Sequence, residues 1–186
     1  MKYVLPTLLI ATAAMLAQDP QFTSDGQLQK PANYREWVFL SSGVGMTYGN
    51  ATAQAEASPA FDNVFVEPSA YRAFLKAGKW PEKAMFVLEV RRSAAETKIG
   101  KSGRYQTQVI GVEAEVKDSK RFPGGGWGFF DVSNGPGKLL PQSAACYTCH
   151  SQNTAVENTF VQFYPTLLDV ARAKGTLKPA FLAPEK

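Results

Sequence analysis

Cys146 and Cys149 are the chain's only cysteines, and its one histidine, His150, directly follows the second of them. Two thiols two residues apart, with an imidazole beside them, match the C-x-x-C-H pattern of covalent haem attachment. Such thiols can bond the two vinyl groups of a haem as thioethers, and the adjacent imidazole then falls over the iron as an axial ligand. The same spacing also serves a disulfide or a thioredoxin-like redox pair. Neither alternative accounts for the position of the sole histidine, which weighs the reading towards haem. Cys146 and Cys149 are then the anchors of a haem c, and His150 is the proximal iron ligand.

The iron's sixth position is where function is decided. With no second histidine, bis-histidine ligation is excluded. A His/Met electron carrier needs a methionine, and only Met46 and Met85 lie beyond the first 17 residues. Met85 opens the most apolar strand of the sequence, where core packing is the better account. Met46 sits in a glycine-rich stretch, as a ligand or as a surface side chain. An open sixth position is the preferred reading, because it permits small molecules to bind or react at the iron.

The elements that must hold this site follow from the hydropathy pattern. Asn63–Val66 and Met85–Arg91 read as strands, Tyr105–Val116 as a long alternating strand, and Trp127–Val132 as another. Glu113 and Glu115 share one face of the long strand and are expected in solvent, opposite Val112, Ala114 and Val116. Tyr34–Leu40 is an apolar cluster, a short helix or a helix turning into a strand, and Ser41–Pro59 reads as a loop. Pro68 and Ser69 open a helix that Gly78 ends, and Thr159–Lys174 reads as a second helix with Gly175 beyond it. Strands joined by short turns, with helices at both ends, indicate an α+β fold that is mainly antiparallel sheet.

Residues 1–17 hold one lysine, a short apolar run and small residues around Ala13, Ala14 and Ala17, as a secretory signal peptide does. That run falls short of the about 20 apolar residues that cross a bilayer. Cleavage after Ala17 predicts a periplasmic chain with no membrane span. It comprises an N-terminal arm (18–33), one domain (34–175) and a loose tail (176–186). The net charge of +4 is scattered, which argues against nucleic acid and would suit docking to an acidic redox protein.

Several ordered segments resemble the cytochrome P-460 family. They are Tyr34-Arg35-Glu36-Trp37-Val38, Asn63-Val64-Phe65-Val66-Glu67-Pro68-Ser69-Ala70-Tyr71, and Trp80-Pro81-Glu82 before Phe86-Val87-Leu88-Glu89-Val90-Arg91. Gly126-Trp127-Gly128-Phe129-Phe130, the haem motif, and Glu157 through Leu167 complete the set, so that the resemblance runs from about residue 34 to 170. It implies a mainly β-sheet, usually homodimeric protein carrying a five-coordinate haem. Cytochromes P-460 oxidise hydroxylamine, place a carboxylate near the iron, and bond a lysine to the macrocycle. The related cytochromes c′-beta lack both features and bind nitric oxide in an apolar pocket.

Carried onto this chain, the resemblance makes Lys79 the best placed of Lys76, Lys79 and Lys83 for a cross-link. It makes Asp131 the only acid on the Trp127–Asp131 strand able to serve as the distal carboxylate, with Phe86, Phe129 and Phe130 as haem-contacting positions. Alternation sends Phe130 to the face opposite Phe129 and Asp131, so only one of those sets can meet the haem. The resulting expectation is a haem oxidoreductase acting on hydroxylamine or a related small nitrogen species, with a soluble redox partner. The alternative is a nitric-oxide-binding or electron-carrying protein without turnover.

Overall fold

The computed structural model describes residues 18–46, 58–95, 100 and 102–182. The expected signal peptide (1–17), the middle of the glycine-rich stretch (47–57) and residues 183–186 lie outside the described residues.

Five strands form one antiparallel sheet whose spatial order is the chain order. They are β1 (Val38–Val44), β2 (Phe61–Val66), β3 (Met85–Ala94), β4 (Tyr105–Lys117) and β5 (Trp127–Asp131). Three helices flank it: α1 (Pro68–Ala77), α2 (Ala145–Asn153) and α3 (Pro165–Ala173). This is the α+β, mainly antiparallel architecture that the sequence pattern indicates. β3 is the central strand, and its near-continuous apolar start, Met85 to Leu88, is the mark of a strand covered on both faces.

Pairing register assigns the faces. Phe86 stands opposite Val66 on β2 and Glu115 on β4, and Glu115 stands opposite Phe129 on β5. Residues directly opposite share a face, so Val66, Phe86, Glu115 and Phe129 point one way, with Val64, Leu88 and Glu113 in the adjacent row. Phe65, Val87, Ala114 and Phe130 point the other way.

The second face is covered by the N-terminal arm. Leu28, Tyr34 and Trp37 pack there with Met85, Val87, Val112, Ala114, Val116 and Phe130. Leu28 exchanges backbone hydrogen bonds with Gly137 (2.8 and 2.9 Å), which fixes the arm to the segment after β5. Behind this layer Glu89 is buried against Tyr34, Arg35 and Arg91.

The first face is shared between helices and a cavity. Phe74 of α1, Leu167 and Ala171 of α3, and Trp80 cover Val66, Phe86, Trp127 and Phe129. α1 starts where it does because Pro68 needs no N–H partner at the first helical position. The Glu67 carboxylate also accepts from the free Ser69 and Ala70 amides (2.8 and 3.0 Å). Gly78 ends the helix with φ 68°, and a Cβ there would lie 2.6 Å from Lys174 Cβ, so glycine is required on both counts.

Three elements differ from the sequence expectation. β1 runs on to Val44 through the small residues read as a loop, because Ser41, Ser42 and Gly43 still pair with β2 after a bulge at Leu40. The expected helix from Thr159 to Lys174 is split into a single 3-10 turn (Val161–Phe163) and α3. Pro165 lacks the N–H that a continuous helix needs and restrains Tyr164 from helical geometry. The tail expected to be loose is docked as far as it is described: Leu177 is buried, and Lys178 N–H donates to Ala155 O at 2.8 Å.

Candidate functional site

α2 presents Cys146, Cys149 and His150 at i, i+3 and i+4, which brings them onto one helical face. That face borders a cavity of about 1190 Å³, walled on its sheet side by Val64, Phe86, Leu88, Val90 and Phe129. α2 buries none of its own residues, so side-chain ties hold it in place. Tyr147 donates to Leu140 O (3.2 Å), and its ring meets Phe129 edge-on at 4.8 Å. At the other end the buried Thr154 hydroxyl donates to the His150 carbonyl.

The two thiols are free, not joined as a disulfide. Burial pushes the Cys146 thiol above its ordinary pKa, the reverse of the depressed value that marks a reactive redox cysteine. The imidazole of His150 is held edge-on by Phe129 and Phe160, with ring centroids at 4.6 and 4.7 Å. Its Nδ1 lies 2.7 Å from the Asn158 carbonyl. A carbonyl can only accept, so Nδ1 carries the hydrogen in the neutral ring and the Nε2 lone pair is left to ligate. Two unpaired thiols, an imidazole in the ligating tautomer and an apolar cavity beside them together fit a thioether-bound haem.

Three carboxylates border the same cavity: Asp62 on β2, and Glu113 and Glu115 on β4. Glu115 Oε1 is 3.4 Å from His150 Nδ1, is buried, and has no hydrogen-bond partner. Burial raises the Glu115 pKa, and the nearby imidazole offsets only part of that rise. Burial alone would push His150 down, but the Glu115 carboxylate and the Asn158 carbonyl hold it above its usual value. Glu113 is reached from the cavity, yet desolvation raises its pKa, and the charges of Asp131 and Asp62 add to the rise. Burial does the same for Asp62.

The residues singled out from sequence are distributed as follows. Cys146, Cys149, His150, Phe86 and Phe129 all border the cavity. Phe130 also borders it, but its ring lies on the opposite face, edge-on to Phe22 and Phe122 at 6.0 Å each. Asp131 shares the register face of Glu113 but is exposed at the end of β5, accepting from Ser133 N–H at 2.9 Å, and does not border the cavity. Lys79 is exposed in the turn after α1, and no lysine borders the cavity among the described residues. Met85 is buried on the far face, whereas Met46 lies at the cavity's rim, its thioether folded onto Gly43 where a Cβ would collide with it.

Glu115 corrects the expectation that both glutamates face solvent, whereas Glu113 keeps an exposed side chain at the cavity. Alternation along β4 marks Val112, Ala114 and Val116 as core, and the intervening glutamates then read as the wet face. That inference fails at Glu115 because α2 brings His150 against it. The available signal was next door, in the unbroken apolar start of β3, since a strand buried on both sides requires neighbours with covered faces.

A family model described as Cytochrome P460 matches residues 31–161, a span that holds all five strands and α2 with the C-x-x-C-H segment. No curated protein matches the chain.

Proposed function

The chain belongs to the cytochrome P460 family and is a haem c cytochrome, and from that premise we propose that it oxidises hydroxylamine or a related small nitrogen species. In this reading Cys146 and Cys149 hold the haem as thioethers and His150 Nε2 is its proximal ligand. Bound there, the haem supplies an iron that accepts electrons from a small molecule at its open side.

The observation that carries the catalytic reading is the set of carboxylates inside an otherwise apolar cavity. Each electron taken from hydroxylamine must be matched by a proton leaving nitrogen or oxygen, and a base within reach lowers that barrier. Glu113 and Asp62 both border the cavity, and burial shifts both towards holding a proton. They are the proton acceptors of this proposal, in place of Asp131. Electrons leave to a soluble redox protein, for which the mildly basic chain suits an acidic partner.

Export to the periplasm through residues 1–17 belongs to the same proposal. No helix among the described residues is long and apolar enough to cross a membrane. A homodimer is also proposed. Its support is that β1 is an outer strand with Phe39 and Val44 more than half exposed, at 53% and 52%.

One observation favours the second reading, a cytochrome c′-beta-like protein that binds nitric oxide or carries electrons without turnover. Lys79 stands clear of the cavity, as do the other lysines among the described residues, and this reading needs no lysine bond to the haem. Mass and visible spectra of the holoprotein, with a hydroxylamine assay in the presence of an electron acceptor, separate the two. The catalytic reading expects acceptor reduction that falls at least about tenfold in Glu113→Gln. Nitric oxide binding without acceptor reduction would leave only the second reading.

A further inference from the structure

Glu115 is a poor choice if its only task is to stabilise the sheet. It sits between Phe86 and Phe129 in the cross-strand register, where an apolar side chain would bury at no electrostatic cost. Its side chain is only 12% exposed, and Oε1 has no hydrogen-bond partner. No arginine or lysine among the described residues borders the cavity on which it faces. A carboxylate oxygen left like this is costly to bury. His150 Nδ1 lies 3.4 Å from it, and the Nδ1 hydrogen points to the Asn158 carbonyl at 2.7 Å.

We infer that Glu115 is a positioning residue for the proximal ligand, its carboxylate standing as the second acceptor for the His150 Nδ1 hydrogen behind Asn158. The inference rests on the reading that His150 Nε2 ligates the haem iron. Once Nε2 donates its lone pair to a metal, the Nδ1 hydrogen becomes more acidic and a stronger donor. A carboxylate already in place then draws that hydrogen towards itself and makes Nε2 a stronger donor in turn, as carboxylate partners of ligating histidines do. Asn158 alone, a neutral carbonyl, would fix the ring's orientation. Glu115 adds the charge. The expected consequence is an iron biased towards its ferric state and a stiffer bond to His150.

The test compares the reduction potential and the ferrous iron–histidine stretching frequency of the holoprotein, wild type against Glu115→Gln and Glu113→Gln. Glu115→Gln keeps the shape and removes the charge. It should raise the potential, shift the ferric-to-ferrous ratio at a fixed poise by about tenfold, and lower the stretching frequency. Glu113→Gln removes an equal charge from the same sheet face without contact to Nδ1, and should leave the stretch in place and move the potential less. Equal shifts in the two variants, or none in Glu115→Gln, would overturn the inference. Should Glu115→Gln fail to hold haem, Glu115→Asp, which keeps the charge but shortens its reach, must give a smaller shift in the same direction, and no shift would overturn it. A wild-type spectrum without histidine-ligated iron would instead refute the haem reading itself, and this inference with it.

Discussion

Glu89, buried, and Glu115, nearly so, lie on one sheet under opposite electrostatic regimes. Glu89, behind β3, receives Tyr34 Oη–H, Arg91 Nε–H and Arg35 Nε–H, the last at 2.8 Å. Burial would raise its pKa, but those donors win and hold it below the usual glutamate value. Burial, together with the same contact, pushes Tyr34 up to about 12. Glu115, on the cavity face of β4, is raised by burial, which the neighbouring His150 offsets only in part. The first arrangement is a satisfied network that locks the N-terminal arm to the sheet. The second keeps a costly group where it can act on a ligand. A buried charge is thus informative by its partners, not by its burial.

The contrast is broken most sharply by removing each side. Glu89→Ala strips the carboxylate from two guanidinium groups and a phenol, and should cost about 3–5 kcal/mol in urea unfolding. Glu115→Gln in the haem-free chain should cost nothing or stabilise it, because it deletes an unsatisfied buried charge. An equal loss in the two variants would erase the distinction. The neighbouring aromatics test the same two faces. Phe130→Ala should also lose about 3–5 kcal/mol while leaving the haem spectrum unchanged. Phe129→Ala should lose less and alter the spectrum, since that ring touches His150.

The pH dependence of the haem-free chain should split along the same line. Glu89 has a lowered pKa, so its contribution is present above the ordinary glutamate range and is lost as pH falls through the lowered value. Glu113 and Asp62 are raised, so their contribution is full below the ordinary range and is lost as pH rises through the raised values. Unfolding midpoints across that interval should show Glu113→Gln flattening the loss on the high side and Glu89→Gln flattening it on the acid side. The smallest effect belongs to Lys79. Lys79→Met should change stability by less than about 0.5 kcal/mol and leave the visible spectrum as it was. Loss of a red-shifted ferrous band in that variant would place a lysine–haem bond at Lys79.

The antiparallel sheet was legible because four of the five strands carry β-rich runs closed by glycine or proline turns. The cysteines and histidine were legible because their spacing is itself the chemistry. The acids were not. Asp131 and Lys79 were chosen by their neighbourhood in the chain, whereas Asp62, Glu113 and Glu115 reach the cavity through the register of four strands, which no local pattern encodes. The arm over 18–33 looked polar, yet Leu28 and Phe22 are what it contributes to the core. Two apolar residues among many polar ones leave no period to read.

The central claim is that haem is held by Cys146 and Cys149 with His150 on the iron. The most direct measurement is the intact mass of the chain, exported from a host that matures c-type cytochromes and denatured before analysis, followed by mapping of the peptide that carries the added mass. The account predicts one haem that stays on the chain through denaturation and maps to Cys146 and Cys149. A chain without haem, with those two cysteines joined as a disulfide, would contradict it.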